Sequence, residues 1–197
     1  MKIITKSILL SALLAVFSLN AGTDDHGHDH HGHHHVDSAA LFKGSLGGVY
    51  GREADKLVQL AKEFSEEQLA WAPAEGVFTG QGVLEHLISA NYFLGSMLGL
   101  ELPEGLNPRE IGESLEGKEE TIKTLEESIA FVKKALNGLD AHDLATEIDF
   151  FGNKMPKMSV ALIVSGHSME HLGQMIAYAR SNGIVPPWSR PQPNQEG

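Results

Sequence analysis

The sequence predicts an all-α protein, a four-helix bundle of up-down type with long connections. Three observations carry that expectation. Four stretches repeat apolar residues at alternating three- and four-residue steps, which places them on one face of a helix. Every proline lies outside those stretches, between them or after the last. No alternating apolar and polar run is long enough to build a sheet. A chain of 197 residues, 42% apolar, suits one domain with a real core.

The first 21 residues are expected to lie outside that domain. Lys2 and Lys6 precede the apolar run ILLSALLAVFSL, which ends at Ala21 and Gly22. That is the order of a secretory signal peptide, and the run is too short for a membrane span. Leu19 stands where the cleavage site prefers a small residue, so an uncleaved anchor is the alternative. The leader predicts an exported protein, periplasmic or secreted, with no stable membrane anchoring once it is removed. Residues 22–37 form a histidine-rich tail, expected to be disordered, with His26, His28, His30, His31, His33, His34 and His35 separated by Asp and Gly. Such a tail has affinity for divalent transition metals. A bundle domain is expected over residues 38–190, with a short C-terminal tail at 191–197.

The first helix carries Tyr50, Leu57, Ala61 and Phe64 on one face and ends near Phe64. Pro73, Gly76 and Gly80 then break the pattern. Thr79 is a suitable N-cap for a second helix whose seam is Val83, His86, Ala90, Phe93 and Met97. Pro103, Gly105 and Pro108 make the next stretch a loop. A third helix buries Ile122, Leu125, Ile129, Val132 and Leu136, and its other face carries Glu119, Lys123 and Glu127 at solvated spacing. Asn137 and Gly138, which tolerate positive φ, end it. An extended piece is expected at Glu147–Phe151, with Pro156 separating it from the last helix. That helix runs from about Ser159 to Asn182, stopped by Gly183 and then Pro186 and Pro187. Its inward face carries Val160, Val164, His167, His171, Gln174 and Tyr178.

Composition excludes several functions. There is no cysteine, hence no disulfide framework and no thiolate ligand or nucleophile of the protein's own. After the leader, 13 cations face 26 anions, a formal charge of −13. No basic stripe exists to hold phosphates, so nucleic acid and anionic membranes are poor partners.

The chemistry rests on histidines. Only His86, His142, His167 and His171 lie outside the tail, and all but His142, which reads as a surface residue, fall at seam positions. His167 and His171 stand one turn apart on the same face, and His86 could meet them from a facing helix. A single ion can hold three such imidazoles at bond lengths of about 2 Å. Three imidazoles leave a coordination position open, as in catalytic rather than structural sites. Zinc, nickel and iron(II) all accept imidazole. HSMEH also fits an H-x-x-E-H protease pattern with Glu170 as base, but that class takes an acidic ligand well downstream, and here only the stretch from Leu172 to Gly197 remains. A di-iron carboxylate bundle needs Glu-x-x-His, whereas Val83, Leu139, Val164 and Ser168 precede the four histidines at that spacing. Trp71, Tyr92, Phe93 and Tyr178 are candidates to line a pocket, and Gln174 to bond a ligand or water. Glu85 and Glu170 flank the candidate ligands and are expected to point away from the seam.

LAWAPAEGVFTGQGVLEHLISANYFLGSMLG and HSMEHLGQMIAYARSNGIVPPW resemble the DinB family of DinB/YfiT-like metalloenzymes, over roughly Leu46 to Trp188. The resemblance rests on H-x-x-x-H-x-x-Q followed by Tyr-x-Arg, Asn-Gly and Pro-Pro. It implies a four-helix bundle, a divalent ion held by His86, His167 and His171, and a homodimer. Some relatives transfer low-molecular-weight thiols such as bacillithiol or mycothiol, or act as thiol-dependent isomerases, which implies a small-molecule substrate and an external thiol. This chain departs from those relatives in its secretory leader. The reading that follows is a metal-dependent transferase or hydrolase activating a thiol or water. The alternative is a non-catalytic periplasmic metal-binding or storage protein.

Overall fold

A computed structural model describes residues 37–191. The leader, the seven tail histidines and residues 192–197 lie outside the described residues.

Helix α1 spans Ser38–Glu63, capped by Asp37, whose Oδ1 accepts from the Ala40 amide at 3.0 Å. Its buried stripe is Leu46, Tyr50, Ala54, Leu57, Leu60 and Ala61, and Phe64 closes it in extended backbone. A short helix α2, Glu66–Leu69, follows at once. Ser65 and Gln68 cap it reciprocally, a Ser-x-x-Gln box where the sequence pattern predicts only a break. Helix α3 is Gly80–Met97, and Thr79 caps it as expected, accepting from the Gly82 amide at 3.0 Å. Helix α4 is Gly117–Gly138 and buries all five predicted core residues. Neither Asn137 nor Gly138 takes positive φ; the chain leaves the helix through Leu139 in extended backbone. A fifth, short helix α5, Ala141–Ala145, is boxed by Asp140 and Asp143. Helix α6 is Lys157–Ser181, and Gly183 beyond it takes φ +75°.

The extended piece is one strand of a hairpin. β1, Glu147–Phe150, pairs antiparallel with β2, Asn153–Pro156, with Glu147 opposite Pro156 and Phe150 opposite Asn153. Phe151 and Gly152 turn the hairpin with φ +53° and +81°, both positive as a type I′ turn requires. Pro156 does not separate strand from helix. It ends β2 and is also the residue preceding α6, so one runs directly into the other. Proline lacks an amide hydrogen that a strand edge or first helical turn would need to satisfy, so it fits both places.

Helix directions follow from cross-helix contacts. Lys62 bonds Glu126 and Lys133 bonds Asp55, so α1 and α4 run antiparallel. Gln81 bonds Thr121 and Asn91 bonds Ser128, so α3 and α4 run parallel. Phe78, at the start of α3, meets Tyr178 near the end of α6, so those two are antiparallel. The bundle is therefore up-down-down-up, with α3–α4, α1–α6, α3–α6 and α1–α4 packed as neighbours. The long connection between α3 and α4 makes the parallel crossover. It lies so close on α3 that a Cβ at Gly112 would stand 2.9 Å from the Glu85 carbonyl oxygen. Among the described residues no helix is long and apolar enough to cross a membrane.

The buried residues of α3 are Gly80, Val83, Leu84, Leu87, Ile88, Asn91, Tyr92, Leu94 and Gly95. Of the predicted seam only Val83 is fully buried; His86, Ala90, Phe93 and Met97 are half-buried. The prediction is thus rotated to one edge of a wider arc, because α3 packs against two neighbours. Its predicted seam borders the groove facing α6.

Candidate metal centre

That edge position is what makes His86 available. α3 and α6 lie side by side, and the turn spacing of His167 and His171 brings both rings opposite His86. Ring centroids are 5.0 Å apart for His86 and His167, 4.9 Å for His86 and His171, and 4.5 Å for His167 and His171. One nitrogen from each ring lies within 4.8 Å of the others. His171 is buried, and His86 and His167 are half-buried. Burial pushes the His86 imidazolium down to about 4, helped by repulsion from His171. Burial, with repulsion from His171 and His86, pushes His167 down to about 3. Both rings are therefore neutral at pH 7 and present lone pairs.

Three features fit a divalent ion. The donors are neutral imidazoles, which borderline metals accept. His167 Nε2 is buried with no hydrogen-bond partner, a cost that a metal would remove. His171 Nδ1 is held 2.8 Å from Gln174 Oε1, so its other nitrogen is left for a ligand. The three-histidine group could bind a metal ion.

The surrounding residues divide. Gln174 is half-buried, and its Nε2 donates to the Tyr178 hydroxyl at 2.9 Å. Tyr178 in turn donates to the Phe78 carbonyl at 3.0 Å. Trp71 meets the Tyr178 ring edge-on at 5.5 Å. These three predicted neighbours thus lie behind His171. Tyr92 instead packs on Phe131 of α4 at 5.2 Å, and Phe93 leans on the hairpin residues Phe150 and Phe151. Both belong to bundle packing, because 93 is two turns beyond His86 and 92 faces another helix. Glu170 and His142 are both exposed, as expected. Glu85 is not a solvent residue. It is half-buried beside α4, where it accepts from Gln81 at 2.9 Å and burial pushes its carboxyl up.

The residue that sequence reasoning missed is Phe78. Its ring stacks over His86, centroids 5.7 Å apart and planes at 23°. The sequence signal was partial, since an apolar residue just before an N-cap is expected to pack on the fourth helical residue, here Val83, and not on His86 further along. Cavities of about 340 and 230 Å³ lie at α1 and α4 and beside α2, and neither is lined by a triad histidine.

The DinB superfamily model matches residues 50–175. A DinB-like protein from Bacillus cereus is 21% identical, with a TM-score of 0.63 over 73% of this chain and 95% of that one. A DinB-like protein from Bacillus subtilis is 18% identical, with a TM-score of 0.59 over 75% and 99%. A conserved protein from Enterococcus faecalis is 15% identical, with a TM-score of 0.56 over 74% and 96%. No curated protein matches the chain. These structural likenesses establish the bundle, and the match from Tyr50 to Met175 takes in all three histidines: the chain belongs to the DinB superfamily.

Proposed function

We propose that the protein holds one divalent transition-metal ion, zinc, nickel or iron(II), on His86, His167 and His171, and acts on a small molecule as a metal-dependent transferase or hydrolase. The observation that carries this reading is the convergence of three imidazoles, two half-buried and one buried, with His167 Nε2 unpartnered. When bound, such an ion supplies Lewis acidity that lowers the pKa of a water or thiol presented to it. The protein's own contribution is to keep His86 and His167 neutral by burial, to orient His171 through Gln174, and to cover His86 with the Phe78 ring. With three protein donors, a fourth position is left for substrate. No cysteine is available, so a thiol would come from outside. The leader supports export, and the family resemblance supports a homodimer.

A second reading has its own observation. The seven tail histidines favour a non-catalytic exported protein that gathers and stores metal.

Metal analysis tests the first statement. Protein beginning at Asp37 is loaded with zinc, dialysed and compared with its His86→Ala, His167→Ala variant. About one equivalent retained by the parent and none by the variant is expected; equal retention overturns the site. Hydrolase and thiol-transfer screens of the loaded protein, with and without added thiols, then separate enzyme from store.

A further inference from the structure

The hydrogen bonds behind His171 have a fixed direction. Their last acceptor is a backbone carbonyl, which has no proton to give. Tyr178 therefore donates its hydroxyl proton to the Phe78 carbonyl oxygen, 3.0 Å away. Its own oxygen is left to accept, and the Gln174 amide nitrogen supplies the proton at 2.9 Å. With that nitrogen committed, Gln174 turns its carbonyl oxygen to His171 Nδ1 at 2.8 Å. Only a protonated Nδ1 can bond a carbonyl oxygen, so in the neutral ring Nε2 of His171 is a bare lone pair.

Gln174 alone would not enforce this. The two ends of a carboxamide have nearly the same shape, so it can turn over at little steric cost. Turned over, it would donate to Nδ1 and leave the proton on Nε2, where it blocks a metal. The Tyr178 hydroxyl removes that choice, because its single proton is already spent on Phe78.

The carbonyl is itself held in place. The Gly80 amide donates to the Trp71 carbonyl at 3.2 Å, and Thr79 caps α3 between them. Trp71 meets the Tyr178 ring edge-on. Gly80 lies against the preceding short helix, where a Cβ would stand 3.3 Å from the Leu69 carbonyl oxygen.

We propose that Phe78 is a positioning residue whose carbonyl, acting through Tyr178 and Gln174, selects the Nδ1–H tautomer of His171 and so sets how tightly the triad takes a metal. The proposal rests on the metal-binding reading above. It makes the loop before α3 a control point: Phe78 covers His86 with its ring and governs His171 with its backbone.

The test is made first on metal-free, full-length, ¹⁵N-labelled protein, with the His171 ring nitrogens assigned by long-range ¹H–¹⁵N correlation. The wild type should show a protonated Nδ1 and a bare Nε2. Tyr178→Phe keeps the ring against Trp71 and removes only the hydroxyl, so His171 should shift toward the Nε2–H form. Adding Gln174→Glu to that variant should restore Nδ1–H, because a carboxylate can only accept. Zinc affinity by chelator competition should fall about tenfold or more in Tyr178→Phe and recover in the double variant. The His86→Ala, His167→Ala protein serves as the blank for zinc taken by the tail. A purely structural role for Tyr178 predicts no such rescue. A wild type with its proton on Nε2 overturns the proposal whatever the variants do, as does Tyr178→Phe with unchanged tautomer and affinity. Failure of the metal reading shows separately, as zinc binding equal to that of the blank with the tautomer results intact.

Discussion

Phe78 lies over His86 with ring planes only 23° from parallel and centroids 5.7 Å apart. The stack joins the loop before α3 to the triad and shields one face of an imidazole that burial keeps neutral. Its ring remains about half exposed, so the cover lies at the surface of the groove.

That shielding makes stability pH-dependent in the metal-free protein. His86 and His167 have folded values of about 4 and about 3 against an ordinary 6.5, so between those limits the unfolded chain binds protons that the folded one refuses. Stability is therefore fully present above 6.5 and is lost as pH falls toward 4 and then 3. Denaturant midpoints measured across this range should fall with acid, and the His86→Ala, His167→Ala variant should show a flatter profile. Phe78→Ala, which opens His86 to water, should also flatten it. A profile identical in all three proteins would contradict the assignment.

Replacing His167 with leucine removes a buried nitrogen that has no partner. The metal-free variant should be more stable than the parent by about 1 kcal/mol, while losing its share of metal uptake. Chelator-treated thermal melts read the first effect, and metal analysis the second. A gain in apo stability with loss of binding is the mark of a site kept for function.

Gly112 anchors the crossover against α3. A methyl there meets backbone, the Glu85 carbonyl oxygen at 2.9 Å, which cannot swing aside as a side chain would. Gly112→Ala should destabilise by about 1–3 kcal/mol. Gly47, inside α1 with nothing within 4 Å of where a methyl would stand, is the control. Gly47→Ala should instead stabilise by about 0.5–1 kcal/mol, because alanine loses less chain entropy in a helix. Urea unfolding of both variants checks the opposite signs.

Thr79→Ala removes the hydroxyl that accepts from the Gly82 amide. About 1 kcal/mol of stability should go, and Thr79→Ser should retain most of it. The cap also holds the loop carrying Phe78, so zinc affinity should weaken in the alanine variant and not in the serine one.

The parts legible in sequence were those written locally. Ile122, Leu125, Ile129, Val132 and Leu136 are all buried, since they form the apolar centre of a face that repeats at the helical period. Thr79 caps α3 as its neighbours predict. Reading failed at the edges of a packed face. On α3 the stripe through His86, Ala90 and Phe93 is the half-buried edge of an arc shared between α4 and α6, and periodicity gives a direction but not a width. The Phe150–Asn153 turn was hidden because Phe-Gly replaces the usual Asn-Gly at positive φ, and its aromatic ring packs on Phe93. Tyr92 was misplaced for the related reason that an aromatic one residue from a seam can face a different helix.

By itself the sequence determined the helical period, the Thr79 cap and the spacing that pairs His167 with His171, because each depends on residues within one or two turns of one another. The tertiary structure decided which way α4 runs, that His86 meets the pair across the α3–α6 groove, and that Phe78 bonds Tyr178 a hundred positions away. Those relationships depend on how helix faces share a core and where loops return, and neither is encoded in the spacing of any single segment.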